Sequence, residues 1–287
     1  MEQISFWHAD IDFGASVYFD EVNKRIRVDE YVGKTASLLT YLSSQDGTKY
    51  EKLIIKAKQE DMKLMLAHGY VLEAMIDNYF NGSPAYFFVK YNSAERQREL
   101  FWEEEEKIVQ QVLASEVKPI TKLPDLSINI RKADLSDSES LSNLYKKVFS
   151  IYPVPIHDPE YVRKSMGDGT TFYCAEKNGT IISAASAEIN HFYHNAELTD
   201  CATDPDHRKG GLMKYILSAL EEELRSSQIF CSYTIARSLS FGMNLAFYQL
   251  GYGYRGRLKN NCYIYDKLED MNVWVKDLST AGISAGT

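Results

Sequence analysis

Residues 199–213 read Thr-Asp-Cys-Ala-Thr-Asp-Pro-Asp-His-Arg-Lys-Gly-Gly-Leu-Met and decide the fold. A short apolar strand pattern over residues 198–203 leads into a polar turn that ends in Gly210 and Gly211. Beyond the turn, apolar side chains recur at the spacing of one helix face: Leu212, Tyr215, Ile216, Ala219 and Leu220. The first N–H groups of a helix lack internal partners and carry the positive end of its dipole, and glycine lets a ligand approach the backbone. The stretch therefore predicts a site for a phosphate-bearing cofactor.

The composition is typical of a soluble globular protein: of 287 residues, 45% are hydrophobic and 25% are charged. That length suits two domains. A net charge of −8 argues against nucleic acid or an anionic membrane as the partner. No run approaches the roughly 18 apolar residues of a membrane span, and the first residues show no secretory signal. The four cysteines are far apart and form no Cys-x-x-Cys pair, so we expect free thiols and a cytoplasmic location.

The chain is predicted to divide near residue 120. Residues 94–116 are highly charged and typical of a solvated helix, and two prolines without any periodic pattern follow in residues 117–125. We therefore expect an N-terminal α/β domain over residues 1–117, a linker over 118–125 and a second domain over 126–287.

The second domain is predicted to alternate strands and helices in the order β-α-β-β-β-α-β-α-β-β. Asn178 and Gly179 separate two of the strands and are a strong hairpin signal. This order predicts an α/β (α+β) domain, a mixed sheet with helices on both faces. The predicted strands are 127–132, 170–176, 180–188, 196–203, 230–236, 252–258 and 261–265, and the predicted helices are 136–149, 211–225 and 240–250.

Part of the first domain is similar to part of the second in its predicted order of elements. A strand over residues 52–57, a helix over 61–67 and Gly69-Tyr70 precede further strands, as residues 230–236, 240–250 and Gly251-Tyr252 do. We interpret the first domain as a degenerate half-copy of the second, and a chance likeness between two generic α/β units explains the pattern about as well. The first domain has no arginine-rich glycine turn, so we expect no anion site there.

Two other motifs in the sequence do not indicate a binding site. Gly251 to Gly256 matches Gly-x-Gly-x-x-Gly, but it follows a helix and opens a strand, which is the reverse of the dinucleotide-binding context. His191 and His194 lie three residues apart without further ligands nearby in sequence, so we expect a surface turn and no metal.

Two segments carry a resemblance to the GCN5-related N-acetyltransferase superfamily. The turn from Asp204 to Met213 is similar to the family's pyrophosphate pattern Gln/Arg-x-x-Gly-x-Gly/Ala, which Arg208 and Gly211 match and from which Met213 departs. The run Asn244-Leu-Ala-Phe-Tyr-Gln-Leu-Gly-Tyr is similar to the family's later helix, which ends in Gly-aromatic. The resemblance covers about residues 126–270 and implies the superfamily's fold and acetyl-CoA as cosubstrate.

Further segments resemble the beta-lysine N-acetyltransferase family, among them residues 196–204, 233–237, 260–262 and 270–274, with residues 50–56 and 73–82 in the first domain. This resemblance implies transfer of acetyl to the terminal amine of beta-lysine, a small diamino acid, by direct attack within a ternary complex. The product, N6-acetyl-beta-lysine, would be a compatible solute used in osmoadaptation. Two alternatives stay open: another small amine (a polyamine or an amino sugar), or a non-catalytic acyl-CoA-binding module, which Met213 and Phe247 favour. The sequence also leaves a homodimer open.

The resemblance implies where acetyl-CoA binds. The pantetheine arm is expected to pair with the strand at residues 201–203, whose N–H groups would polarise the thioester carbonyl, and the pyrophosphate to lie on residues 208–213. The implied cofactor-binding residues are Cys201, Ala202, Thr203, Arg208, Lys209, Gly210, Gly211, Leu212, Met213, Asn244 and Phe247.

Acetyl transfer requires a deprotonated amine, so a carboxylate near the thioester is the expected base. Glu197 is the first candidate, and Asp200 is a second basic or amine-binding group. Strand alternation puts them on opposite faces, so only one can face the acceptor unless a bulge intervenes. The superfamily's tyrosine acid falls at Phe247, so Tyr248 is the candidate acid, although a thiolate can leave without strong acid help.

The acceptor's carboxylate is expected to meet Arg237, whose guanidinium matches that group in a bidentate pair. The remaining candidate substrate-binding residues are Asp200, Glu188, Asn260, Asn261 and Tyr152.

Overall fold

The computed structural model describes residues 4–117, 125–208, 210–264 and 267–279. The first half builds six strands and four helices: β1 Ile4–Ala9, β2 Phe13–Asp20, β3 Arg25–Gly33, α1 Thr35–Ser43, β4 Lys52–Ala57, α2 Met62–Ala67, β5 Val71–Phe80, β6 Ser83–Tyr91, α3 Ala94–Gln97 and α4 Trp102–Leu113. Most of the predicted linker, residues 118–124, lies outside the described residues.

The second half begins at residue 125 and repeats much of this alternation. Its elements are β7 Ile128–Lys132, α5 Ser138–Val148, α6 Pro159–Gly167, β8 Thr171–Lys177, β9 Thr180–Asn190, β10 Asn195–Thr203, α7 Leu212–Ser226, β11 Cys231–Arg237, α8 Phe241–Gln249, β12 Gly253–Ile264 and β13 Lys267–Asp277. The predicted strands up to residue 236 and the three predicted helices are found within one or two residues of their expected bounds.

The end of the chain differs from the prediction. The expected strands 252–258 and 261–265 are one strand, β12, because the polar residues between them form a bulge rather than a turn: Leu258 pairs with Met271 and Cys262 with Glu269. Asn260, at this bulge, has a φ of 43°. The partner strand β13 and the helix α6 were both missed. Residue 265 lies outside the described residues.

One sheet of 13 strands runs through the molecule in the order β1-β2-β3-β4-β6-β5-β12-β13-β11-β10-β9-β8-β7. All neighbours are antiparallel except the β3–β4 and β10–β11 pairs, so the sheet is mixed as predicted. In the second half α7 packs on one face through Ala185, Ala187 and Leu198, and α5 packs on the other through Ala184 and Ala202. The predicted fold class is confirmed.

The sheet curves so that strands of the two halves pack face to face near their junction. Ile54, Phe87 and Val89 of the first half share a buried cluster with Tyr233 and Val273 of the second. Polar contacts join the same two faces: Tyr193 Oη donates to Glu30 over 2.8 Å, and Asn195 Nδ2 donates to the Tyr79 carbonyl over 2.8 Å. As a result β3 and β4 lie over β9, β10 and β11.

None of the helices in the described part of the chain is both long and apolar enough to cross a bilayer.

Candidate active site

A cleft opens where β10 and β11 separate. The two strands pair only where residues 195–197 of β10 lie beside residues 231–233 of β11. Both strands continue beyond these pairs, β10 to Thr203 and β11 to Arg237. Beyond the last pair the strands diverge around a cavity of about 440 Å³, lined by both strands, by the starts of α7 and α8, and by the end of α5 with the loop after it. The backbone of β10 beyond Glu197 therefore presents an unpaired edge on the side of β11.

The first turn of α7 closes one end of this cleft. Gly211 caps the helix in the left-handed region with a φ of 67°, no side chain caps the exposed N–H groups, and no acidic residue lies in the first turn. The Met213 side chain, which departs from the family pattern, is buried in the core and so leaves the backbone N–H groups uncovered. Arg208 is exposed, and its Nε donates to the Thr203 carbonyl. These are the groups that an anionic diphosphate requires.

The residues present therefore fit acetyl-CoA at two points: an unpaired strand edge and an uncapped helix start. Leu212, Met213, Gly211, Arg208, Thr203 and Cys201 all line the cavity. Gly210 lies in the same turn, and Lys209 lies outside the described residues. Ala202 is buried under α5 rather than in the cavity, so only its backbone is available to a ligand.

A bulge in β10 settles which way the two candidate carboxylates face. Thr199 pairs with Ser186 and Ala202 with Ala184, so Asp200 and Cys201 together oppose a single residue of β9. Asp200 has a φ of 52°, and its carboxylate accepts a hydrogen bond from Ser186 Oγ over 2.6 Å. Ser186 lies on the same face as Thr199 and, by strand alternation, as Glu197. The bulge that the sequence left open thus brings Glu197 and Asp200 to one face.

Burial shapes the acid–base chemistry of this face. It raises the pKa of Asp200 to about 7, helped by the nearby Glu188 charge and opposed by hydrogen bonds from Ser186 and Tyr152. Burial and Glu188 also raise the pKa of Glu197, against the positive charges of Lys56 and Arg27. A carboxylate whose pKa approaches neutrality is a stronger base than an ordinary surface carboxylate.

Two predicted cofactor-binding residues on α8 have different surroundings. Phe247 is fully buried and lines the cavity. Asn244 is fully buried and makes four hydrogen bonds within the chain: its Nδ2 donates to the carbonyls of Arg237 and Ser240, and its Oδ1 accepts from Asn272 Nδ2 and Trp274 Nε1. These bonds use every donor and acceptor that the amide side chain commonly offers. Asn244 therefore ties α8 to β11 and β13.

Tyr248, the candidate acid, points away from the cleft. Its hydroxyl donates to the Leu113 carbonyl at the end of α4 over 3.1 Å, and its ring lies 6.3 Å from that of Trp274. It is not among the residues that line the cavity, whereas its neighbour Phe247 is. The assignment of Tyr248 as an acid stays a prediction without geometric support.

The predicted acceptor residues separate into two groups. Tyr152 lines the cavity beside Asp200, and Glu188 pairs with Glu197 across β9 and β10. Arg237 also lines the cavity, but its guanidinium already forms a bidentate pair with Glu269, with both N–O distances 2.6 Å.

The two asparagines lie at the junction between the halves. Asn260 Nδ2 donates to the carbonyls of Arg96 and Arg98, and the Asn261 carbonyl accepts from Arg25. The structure does not bring either residue to the cavity, because the bulge in β12 turns them toward the first half.

Sequence reasoning missed the contribution of the first half to this face. Arg27 and Asp29 on β3 and Lys56 on β4 act electrostatically on Glu188 and Glu197. One local signal was available: Lys56 lies within a six-residue strand whose side chains are all buried. A lysine in such a strand needs a partner, and the partner cannot be read from the sequence around it.

Within the described ranges, no three His, Cys, Asp or Glu side chains converge as a metal site would require. His194 lies in the turn before β10 and contacts the Gln228 carbonyl through Nδ1.

Comparison with known proteins identifies relatives along nearly the whole chain. The acetyltransferase (GNAT) family model matches residues 138–252. The N-acetyltransferase YodP of Bacillus subtilis (strain 168) is 38% identical over 266 residues, which cover 90% of this chain and 94% of that protein. The beta-lysine N(6)-acetyltransferase of Methanococcus maripaludis is 34% identical over 91% of this chain and 95% of its own length. That of Methanosarcina mazei is 31% identical over 87% of this chain and all of its own length.

Proposed function

Since the chain belongs to the GNAT acetyltransferase family and is an acetyl-CoA-dependent enzyme that acetylates an amine, we propose that its acceptor is the terminal N6 amine of beta-lysine. One observation carries this choice of acceptor. Both relatives that bear the name of this activity align with 91% and 87% of the chain, so the likeness includes the first half as well as the catalytic unit.

We assign the two ends of the cosubstrate to two parts of the cleft. The uncapped N–H groups at the start of α7 hold the diphosphate, with Arg208 beside them. The free edge of β10 holds the pantetheine arm and presents its N–H groups near the bulge at Asp200. When bound, acetyl-CoA supplies a thioester whose acetyl group passes directly to the amine.

Glu197 and Asp200 prepare the acceptor. A primary ammonium with a pKa of about 10 is a poor nucleophile at neutral pH, so its proton has to leave before attack. Both carboxylates lie on one face of β10, where Asp200 lines the cavity and Glu197 does not, and both have a raised pKa. Glu197 accepts the proton, directly or through water, and Asp200 holds the amine beside it.

The departing thiol is not protonated by Tyr248 in this scheme, because that hydroxyl is bonded to the Leu113 carbonyl. A thiol has a pKa near 8.5, so the thiolate can leave without a strong acid.

Met213, which departs from the family pattern, is largely buried and lines the cavity, which is compatible with a bound cosubstrate. The cytoplasmic location, the osmoadaptive role and a homodimer remain predictions.

The test is turnover with a panel of amines. Acetyl-CoA is mixed with beta-lysine, lysine, spermidine or buffer, thiol release is followed, and the product is mapped to N6 or to the other amine. We expect beta-lysine to give the highest kcat/KM, with acetyl at N6. A higher kcat/KM for another amine would replace beta-lysine as the acceptor and keep the acetyltransferase chemistry.

A further inference from the structure

A cluster of charged side chains fills the space between the two halves beside the cleft. Arg27, Asp29 and Lys56 come from the first half, and Glu188 and Glu197 come from the second. Glu188 and Glu197 pair directly across β9 and β10, so they share a face. The cluster carries two positive and three negative charges, and ion pairs and hydrogen bonds within the described part of the chain engage only part of them.

Lys56 and Asp29 form an ion pair within the cluster. Lys56 is buried, lies 3.0 Å from Asp29 Oδ1, and donates to Tyr79 Oη over 3.1 Å. Its ammonium also lies 5.8 Å from the centre of the Tyr233 ring, across the gap between the halves. Asp29 accepts a second bond, over 2.9 Å, from Arg27 Nε. This pairing fixes the position of the Arg27 side chain.

Arg27 has binding capacity left over. Only its Nε is bonded, and its two terminal nitrogens have no hydrogen-bond partner among the residues that the structure describes. The guanidinium lies 5.0 Å from the centre of the Tyr18 ring, and 35% of the side chain is exposed. A guanidinium whose Nε is anchored, and whose two terminal nitrogens have no partner among the described residues, can hold a carboxylate in a bidentate pair.

The two carboxylates of the second half could pair with positive groups of a ligand. Neither the Glu188 nor the Glu197 carboxylate forms a side-chain hydrogen bond within the described part of the chain, and both feel the charge of Arg27. The Glu188 charge helps to raise the pKa of Tyr161 of α6, and Tyr161 in turn contributes to the raised pKa of Tyr18. A molecule with one carboxylate and two ammonium groups matches the unused charges on both walls.

We propose that Arg27, a residue of the first half, binds the carboxylate of the acceptor, so that the first half selects amino acids over simple amines. Glu188 then faces the ammonium next to that carboxylate, and Glu197 faces the amine that reacts. This assignment rests on the function proposed above, since it assumes an acceptor with a carboxylate. It replaces Arg237, whose guanidinium is already paired with Glu269.

The test measures selectivity with two acceptors, beta-lysine and 1,4-diaminopentane, which is the same molecule without its carboxylate. In Arg27→Gln we expect KM for beta-lysine to rise about 100-fold while kcat stays within about threefold, because a charged pair to the ground-state substrate is lost. KM for the diamine should change less than about threefold. Arg27→Lys keeps the charge and loses the bidentate geometry of the guanidinium. Its KM for beta-lysine should lie between those of the wild type and Arg27→Gln.

Arg131→Gln is the matched control, because Arg131 is also a strand arginine held by a carboxylate, 2.7 Å from Asp137, with 31% of its side chain exposed. We expect it to leave KM for both acceptors unchanged. Acetyl-CoA affinity and the melting temperature of Arg27→Gln should match those of the wild type, which would exclude a general loss of structure.

The proposal is overturned if Arg27→Gln changes KM equally for the two acceptors or for neither. It is also overturned if the best acceptor of the wild type lacks a carboxylate. If the wild type prefers a different amino acid, the beta-lysine assignment fails on its own. The same comparison, made with that amino acid and its decarboxylated form, still decides the role of Arg27.

Discussion

The two halves of the chain share one plan, and among the described residues we find a candidate cofactor cleft only in the second half. The strand order β1-β2-β3-β4-β6-β5 of the first half recurs as β8-β9-β10-β11-β13-β12 in the second. A helix follows β3 and β10, and another follows β4 and β11, at matching places. The connection from β3 to α1 is the single residue Lys34, whereas residues 204–211 connect β10 to α7. Because the two halves share the sheet order, the proposed anion site depends on this longer, glycine-ended turn and not on the sheet.

The halves meet at matching positions. Ala74 pairs with Gly256, and each lies four residues after the tyrosine of a Gly-Tyr pair, Gly69-Tyr70 or Gly251-Tyr252. A pseudo-two-fold axis therefore passes between β5 and β12. This recurrence supports the interpretation of the first half as a degenerate half-copy of the second.

Gly256→Val would disrupt the packing of the two halves at this axis and should have the largest effect on stability. A Cβ at this position would lie 2.3 Å from the Glu73 carbonyl oxygen and 2.7 Å from Ala74 Cα, and the φ of 121° is unfavourable for any other residue. We expect a loss of at least about 4 kcal/mol in the free energy of unfolding, measured by urea denaturation. Gly167→Ala, where a Cβ meets nothing within 4 Å, is the control and should change little. Near-wild-type stability in Gly256→Val would contradict the close approach of the halves.

Combining Arg208→Glu with Gly211→Val would make the second half resemble the first. The pair places a negative charge beside the diphosphate and strains the left-handed cap, whose φ is 67°. We expect coenzyme A to bind at least about 100-fold more weakly by calorimetry. Gly69→Val imposes similar strain in the first half, where φ is 78°, and should leave that affinity unchanged. Unaltered affinity in the double variant would show that the turn does not bind the diphosphate.

Glu197→Gln tests the carboxylate of β10 at the strand position that Arg27 occupies in β3 of the first half. We expect kcat at pH 7 to fall by about 100-fold, because the ammonium loses its base. The loss should shrink toward pH 10, where the free amine forms without help. In the wild type, kcat/KM should rise with pH through the raised pKa of Glu197, since only the ionised form accepts a proton. A loss of equal size at every pH would exclude the role of base.

Asp200→Asn should have a smaller effect, and it should increase the free energy of unfolding. Burial raises the pKa of Asp200 to about 7, above its value in the unfolded chain, so the folded state holds this proton more tightly. Between pH 5 and pH 7 the wild type should therefore lose about 2 kcal/mol more stability than the asparagine variant, because only the wild type has this carboxyl to ionise. Chemical denaturation of both proteins across this range measures the difference. A gap in stability that does not widen with pH would contradict the shifted pKa.

Local patterns predicted much of the fold. The Asn178-Gly179 hairpin, the stripe of α7 and the Gly-Tyr turns all depend on neighbours in sequence, and the structure contains each of them. β13 was missed because residues 267–277 mix charged and apolar side chains that only pairing with β11 and β12 buries.

The candidate site was less predictable. Alternation alone could not place Glu197 and Asp200 on one face, because a bulge leaves little trace in sequence. The partners of Arg237 and Lys56 are 32 and 27 residues away in sequence, Glu269 and Asp29, so neither pair is visible as a motif. Long-range pairing of charges is what the sequence did not reveal.

The matching of Arg27 with Glu197 has an evolutionary consequence. Each lies two residues into its strand, beyond the pairs Arg25–Lys52 and Asn195–Cys231. When two identical subunits meet about a two-fold axis, any mutation appears on both sides at once, and matching positions carry the same residue. Placing both units in a single polypeptide removes that constraint, so one unit can acquire a cation where the other keeps an acid, and each can specialise without loss to its neighbour.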